Sequence, residues 1–181
     1  MASVYVNGQV FDKYVSAQKI AQYVGKVAER INVDYAGKRP LFICVLNGAF
    51  MYASDLFKQI TVPAEIAFVR LKSYEGTNST GEVKILTPLS VEVEDRDIIV
   101  VEDIVDTGLT MHGFIKLLKE AGARSVEITS FLFKPEALRY NDAEPKYIGM
   151  SIPTKFVLGY GLDYDEQGRN LPSLYVLNSG Q

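Results

Sequence analysis

Nine consecutive residues, Glu102-Asp103-Ile104-Val105-Asp106-Thr107-Gly108-Leu109-Thr110, gather three acids and two hydroxyls around one glycine. Adjacent acids at the carboxyl end of a strand can hold ribose hydroxyls or a hydrated cation. The backbone N–H groups of Asp106 to Thr110, with the hydroxyls of Thr107 and Thr110, can cradle a phosphate where a helix begins. One turn therefore offers an anion cradle beside a diol or metal clamp. That combination suits a phosphorylated sugar.

Such a turn needs a strand before it and a helix after it. Ile98-Ile99-Val100-Val101 reads as a strand buried on both faces, as in the interior of a parallel sheet. A helix is predicted near Thr110 to Ala121, with Gly122 suited to its left-handed stop. Upstream, Val4 and Val6 give a short strand signal. Ser16 can cap a helix carrying Ile20, Tyr23, Val24, Val27 and Ile31 at helical spacing. Strand Leu41 to Leu46, a helix near Phe50 to Gln59 and strand Ala64 to Lys72 follow. Further strands are predicted at Ser125 to Phe133, Tyr147 to Ser151 and Leu174 to Leu177. This alternation argues for an α/β fold with a twisted, mostly parallel sheet flanked by helices.

At 181 residues the chain fits one domain, 1–181, long enough to bury a substantial core. A net charge of −3 argues against a nucleic-acid-binding surface, which is usually basic. No apolar run approaches the roughly 20 residues that span a bilayer, so no membrane partner is expected. The opening Met-Ala-Ser-Val-Tyr-Val-Asn carries neither basic leader nor apolar stretch, and no secretory signal is expected. Cys44 is the only cysteine, which fits a reducing cytoplasm; within Leu41 to Leu46 it reads as a small buried hydrophobe. His112 is the only histidine, too few for a histidine metal cluster, and reads as solvated on the turn after the cradle.

From Val100 to Thr110 the chain resembles the phosphoribosyl pyrophosphate signature of the type I phosphoribosyltransferases. Over nearly its full length it is similar to the hypoxanthine-guanine branch. The matching pieces run in order: Leu46-Asn47-Gly48-Ala49, Lys72-Ser73-Tyr74, Glu102-Asp103, Asp106-Thr107-Gly108, Lys134, Phe156-Val157, Asp163 and Arg169. An ordered set is a far stronger signal than one acidic strand end. The resemblance implies a reaction joining a 6-oxopurine base to the ribose of phosphoribosyl pyrophosphate, with pyrophosphate and a nucleoside monophosphate released. It also implies Mg2+, a small hood from the terminal segments and a homodimer or homotetramer.

By the same resemblance, the amides and hydroxyls of Asp106, Thr107, Gly108, Leu109 and Thr110 bind the 5′-phosphate. Glu102 and Asp103 face the ribose diol and its magnesium, and Asp163 holds a second magnesium on the pyrophosphate. Asp106 also accepts the purine N7 proton; a carboxylate of ordinary pKa, about 4, is a weak base, so proximity and developing charge must assist. Asn47 and Gly48 form the pyrophosphate loop, where the family often has a non-proline cis peptide. Asn47 and Ala49 stand where lysine and a second glycine are common, and Leu109 replaces a common lysine. Lys134 donates to the oxygen at purine C6, Phe156 stacks on the base and the Val157 backbone reads its edge. Arg169 reaches the pyrophosphate. The polar segment Ser73 to Gly81, with Ser73-Tyr74 at its hinge side, is the expected lid, which would shield a ribose cation from water.

Other readings compete. A nucleotide sensor on the same fold could keep the cradle and lose the base-side residues, yet Lys134, Phe156, Asp163 and Arg169 are all present. An ordinary NTPase needs Gly-x-x-x-x-Gly-Lys-[Ser/Thr], which is lacking, and Gly159-Tyr160-Gly161 does not continue into a dinucleotide fingerprint. A pyrimidine or adenine phosphoribosyltransferase is the nearer competitor; Lys134 as a donor favours a 6-oxo base.

Overall fold

The structure is a computed structural model that describes residues 3–73 and 83–178. The expected lid, Tyr74 included, therefore lies outside the described residues except for Ser73. Strands β3 (Leu41–Leu46), β4 (Glu65–Ser73), β5 (Val83–Thr87), β6 (Asp97–Val105), β7 (Ser125–Phe133) and β8 (Tyr147–Ser151) form one sheet. Their order is β5-β4-β3-β6-β7-β8, parallel throughout except where β5 runs against β4. The α/β reading holds. A second, antiparallel sheet joins the two ends of the chain in the order β1 (Ser3–Val6), β2 (Gln9–Val15), β10 (Leu174–Leu177) and β9 (Val157–Leu158). This is the hood.

Helices cover both faces of the parallel sheet. On one face α1 (Ala17–Asp34) and α2 (Phe50–Phe57) bury Ile20, Val24, Ile31, Tyr52 and Leu56 against Phe42, Cys44, Ile99 and Val101. Ser16 caps α1 as expected, its hydroxyl accepting from the Lys19 amide at 3.3 Å; such a cap contributes about 1 kcal/mol. On the other face α3 (Leu109–Glu120) packs Met111, Phe114, Ile115 and Leu118 onto Ile43, Val69, Ile98 and Val100. α3 stops where Gly122 turns left-handed (φ 85°) and donates to the Lys119 carbonyl.

Two sequence readings need correction. The acids do not follow the signature strand; they lie inside it, because β6 runs on to Val105 and pairs Glu102 with Ser130 and Ile104 with Leu132 of β7. β2 was also missed, since only Val4 and Val6 gave a strand signal near the amino terminus. It exists because it has β1 on one edge and β10 on the other.

Burial along β6 marks where the strand turns from scaffold to site. Ile98 and Val100 join the α3-side core, and Ile99 and Val101 join the opposite one, the alternation a strand requires. Beyond the acids the phase inverts: Ile104 packs on the α1–α2 side and Val105 on the α3 side. The strand is locally reoriented at Glu102 and Asp103.

Candidate active site

The site lies at the carboxyl ends of β3, β6 and β7, where open parallel sheets bind ligands. Its floor is a cavity of about 170 Å³ lined by Glu102, Ile104, Val105 and residues 106–111. Gly108 caps α3 in the left-handed conformation, φ 82°, with no side-chain cap. A Cβ there would come within 2.9 Å of the Ala143 Cβ and 3.0 Å of the Leu138 side chain, so the turn also needs glycine for space. Thr107 accepts from the Leu109 amide through its hydroxyl, at 3.4 Å, and from the Arg139 amide through its carbonyl, at 2.9 Å. The helix start is aimed into the cavity, and its leading amides can meet an anion there.

His112, one turn along α3, is not merely solvated. Its ring stacks on Tyr140 at 4.7 Å and its Nδ1 sits 2.8 Å from the Asp142 carboxylate. The pair fastens the 140–143 segment over the α3 start, where Ala143 abuts Gly108. The sequence offered no pattern for this contact, because its partners come from a separate loop.

Glu102 is buried and Asp103 half-buried. Burial holds Glu102 well above the usual carboxylate range, and the neighbouring Asp103 charge adds to the rise. Asp103 is raised by burial, with the Glu102 hydrogen bond, the Ile104 amide at 2.7 Å and the Arg169 charge opposing. Two adjacent carboxylates with oxygen donors only suit a hard cation such as magnesium. Among the described residues no three His, Cys, Asp or Glu side chains converge on one point, so water and substrate oxygens must complete such a shell. The residues present fit a cation shared with a phosphorylated ligand.

These raised carboxyls make stability depend on pH. The fold binds the Glu102 proton more tightly than the unfolded chain does, so its contribution is present at low pH and is lost as pH rises above the ordinary glutamate range. Glu102→Gln keeps an acceptor for the Asp103 amide, 3.1 Å away, and removes the charge. The variant is expected to be more stable than wild type near about pH 8, with the advantage shrinking towards about pH 5. Thermal unfolding across that range in a metal chelator measures it; parallel pH profiles would refute the assignment.

On the base side, Lys134 follows β7 and is buried, and its Nζ donates to Asp106 Oδ2 at 2.7 Å. An ammonium donor and a carboxylate acceptor thus stand side by side at the rim of the cradle. Phe156 is 47% exposed and leans on Phe11 (6.1 Å) and Tyr164 (5.6 Å), while the adjoining Val157 sits in β9 of the hood.

On the far side, the Leu46–Asn47 peptide is cis. Asn47 is exposed and Ala49 buried at the α2 cap. Gly48 lies so close to Asp103 that a Cβ would fall 1.6 Å from Oδ2. Arg169 donates to the Gly161 carbonyl at 3.0 Å and pairs with Asp163 at 3.0 Å and Glu166 at 3.2 Å. Asp163 in turn accepts from the Glu166 amide at 2.9 Å. Arg169 is thus oriented within its own loop, and its Nε alone has no partner among the described residues. Cys44 is fully buried in β3, and burial pushes its thiol up to about 12, which disfavours the thiolate a nucleophile needs.

The structure therefore brings the 106–110 turn, Glu102, Asp103, Asn47, Gly48, Lys134, Asp163 and Arg169 to one end of the sheet. The sequence missed Tyr160, Gly161 and Asp55, which tie the two far-side loops together. Its one signal was the tyrosine held between two glycines.

Comparison with known proteins follows the same outline. The phosphoribosyl transferase domain pattern matches residues 11–165. The chain is 42% identical over 163 residues to the hypoxanthine-guanine phosphoribosyltransferase of Streptococcus thermophilus, covering 90% of each chain. It is 41% identical to the enzyme of that name from Lactococcus lactis, covering 90% of this chain and 88% of the other. The crystal structure of a hypoxanthine phosphoribosyltransferase from Staphylococcus aureus superposes with a TM-score of 0.88 at 37% identity, over 92% of this chain and 91% of that one.

Proposed function

The chain belongs to the phosphoribosyltransferase family, and from that premise we propose that it transfers the 5-phosphoribosyl group of phosphoribosyl pyrophosphate to hypoxanthine, guanine or both. The products are IMP or GMP and pyrophosphate, and the role is purine salvage. One observation carries the choice of base: Lys134 Nζ and Asp106 Oδ2 stand 2.7 Å apart beside the cradle. A 6-oxopurine presents the matching pair, an acceptor at O6 and an N7–H donor. An amino group at C6 would set donor against donor. A site built on such pairing rejects the wrong partner by about 10⁴-fold or more, so adenine is expected to be a very poor substrate.

The rest of the mechanism is positioning and electrostatics. The 106–110 turn grips the 5′-phosphate through its amides and the hydroxyls of Thr107 and Thr110. With the ribose fixed and the base held by Lys134, Phe156 and the Val157 backbone, the anomeric carbon lies between base and pyrophosphate. Asp106 takes the N7 proton as positive charge grows on the base and ribose. Asn47 and Gly48 meet the pyrophosphate through backbone groups, and Arg169 supplies positive charge on that side. Leu109 and Asn47 bring no lysine, so this site relies more on amides than on mobile cations. Glu102, Asp103 and Asp163 would hold Mg2+, which when bound offsets the charge of the ribose and pyrophosphate oxygens. Ser73 and Tyr74 belong to the segment that would exclude water.

The reading includes a cytoplasmic homodimer or homotetramer, for which exposed Phe50 and Phe68 supply apolar surface; light scattering measures the assembly. The deciding assay supplies purified protein with magnesium and phosphoribosyl pyrophosphate, and tests hypoxanthine, guanine, xanthine and adenine separately. Formation of IMP or GMP is expected. No nucleotide from any base would leave the sensor reading in its place.

A further inference from the structure

Where the two far-side loops meet, Tyr160 adopts a conformation that side chains avoid, as do Asp165 and Glu166 farther along its loop. Its φ is 51°, and its neighbours Gly159 and Gly161 stand at 95° and 100°. Left-handed backbone costs a non-glycine residue about 1–2 kcal/mol, so something must hold it there. Its ring is buried edge-on against Phe131 at 4.9 Å, and its hydroxyl donates to Asp55 Oδ2 at 2.9 Å. Burial and the Asp55 charge keep the phenol above its ordinary range, so it remains a donor.

Asp55 lies on α2, the helix that starts directly after Asn47-Gly48-Ala49. Gly161 lies on the other loop, and a Cβ there would come within 2.0 Å of the Gly48 carbonyl oxygen. Gly161 also exchanges two hydrogen bonds with Arg169, its amide donating to the Arg169 carbonyl at 2.9 Å and its own carbonyl accepting from the guanidinium. The two loops therefore touch backbone to backbone at Gly48 and Gly161, and the Tyr160–Asp55 bond is the side-chain tie across the same seam. A rigid aromatic ring fixes the length of that tie. Lys134 and Asp106 directly follow β7 and β6 and pair with each other, outside this seam.

We propose that Tyr160 is a positioning residue: its hydroxyl, bonded to Asp55, sets the spacing between Asn47-Gly48 and the Gly161-to-Arg169 loop, and so the fit of the site to pyrophosphate. This rests on the transferase reading given above. The residue acts through Gly161 and touches no substrate. The site is consequently split, with affinity for the pyrophosphate end under Tyr160 and affinity for the base independent of it.

The test is calorimetric binding of pyrophosphate and of phosphoribosyl pyrophosphate, with magnesium, alongside Michaelis constants for both substrates. Tyr160→Phe keeps the ring and loses the bond. It is expected to weaken both pyrophosphate-bearing ligands about tenfold while the KM for hypoxanthine stays at the wild-type value. Asp55→Asn retains an acceptor and should behave as wild type; Asp55→Ala should match Tyr160→Phe, and the double variant should be no worse than either single one. Unchanged pyrophosphate affinity, an equal loss on the base side, or additive effects would each overturn the proposal. Wild-type protein that binds phosphoribosyl pyrophosphate yet forms no nucleotide would sink the transferase reading alone. Failure of wild type to bind it at all would overturn both.

Discussion

Asp106→Asn is expected to lower kcat by about 10²–10⁴-fold, the usual worth of a positioned proton acceptor, with affinity for phosphoribosyl pyrophosphate nearly unchanged. The asparagine side chain still offers an oxygen to Lys134, which lies 2.7 Å from Asp106 in the native pair. Buried Lys134 thus keeps a partner and the fold should hold. The backbone amides of the 106–110 turn are untouched, so the phosphate grip should persist. What disappears is the carboxylate proposed to take the N7 proton. Asp106→Ala makes a useful contrast, because it leaves the Lys134 ammonium without that acceptor and should cost stability of about 1–3 kcal/mol. Single-turnover kinetics on the asparagine variant, with binding measured separately, checks the split. Native turnover would remove Asp106 from proton handling, and loss of binding would assign it to the phosphate instead.

The second large effect is expected at Gly48→Ala. A methyl group there would fall 1.6 Å from Asp103 Oδ2 and 2.6 Å from its Cγ, so either the carboxylate or the Asn47-Gly48-Ala49 loop must move. Displacement of about 1 Å in a positioned group can cost roughly 10²-fold in rate, and this one disturbs the loop and the acid pair together. A loss of at least about 10²-fold in kcat/KM is expected, with about 1–3 kcal/mol of stability from overpacking. Gly37→Ala is the control. No atom lies within 4 Å of its added methyl, but its φ of 75° is left-handed, so it should cost about 1–2 kcal/mol of stability and leave turnover alone. Steady-state kinetics and thermal unfolding of the two variants separate crowding at the site from backbone strain elsewhere. Equal activity in both would mean that the loop and Asp103 part without consequence.

Local chemistry was legible wherever neighbours in sequence decide the outcome. The Ile98 to Val101 run reads as a buried strand, Ser16 as a helix cap and the residues after Gly108 as a helix start, and all three are present in the fold. Those features depend on backbone geometry and side-chain period within a few residues, which the letters carry directly. The ordered motifs from Asn47 to Arg169 named the family for the same reason.

Distance in the chain hid the rest. Charge usually marks a strand end, yet pairing of Glu102 with Ser130 carries β6 past its two acids. β2 became visible only once β10 lay against it, an alignment of Leu174 with Val15 that no local pattern announces. Nor could the sequence tell that Lys134 would close on Asp106, that His112 would be held by Asp142, or that Tyr160 would reach Asp55. By itself the sequence determined most of the elements, the acid-and-hydroxyl turn at 102–110 and the class of reaction. Only the tertiary structure decided which charges pair, how deeply the acids are buried and which loops touch, because each of these is set by contacts between segments that the chain brings together only on folding.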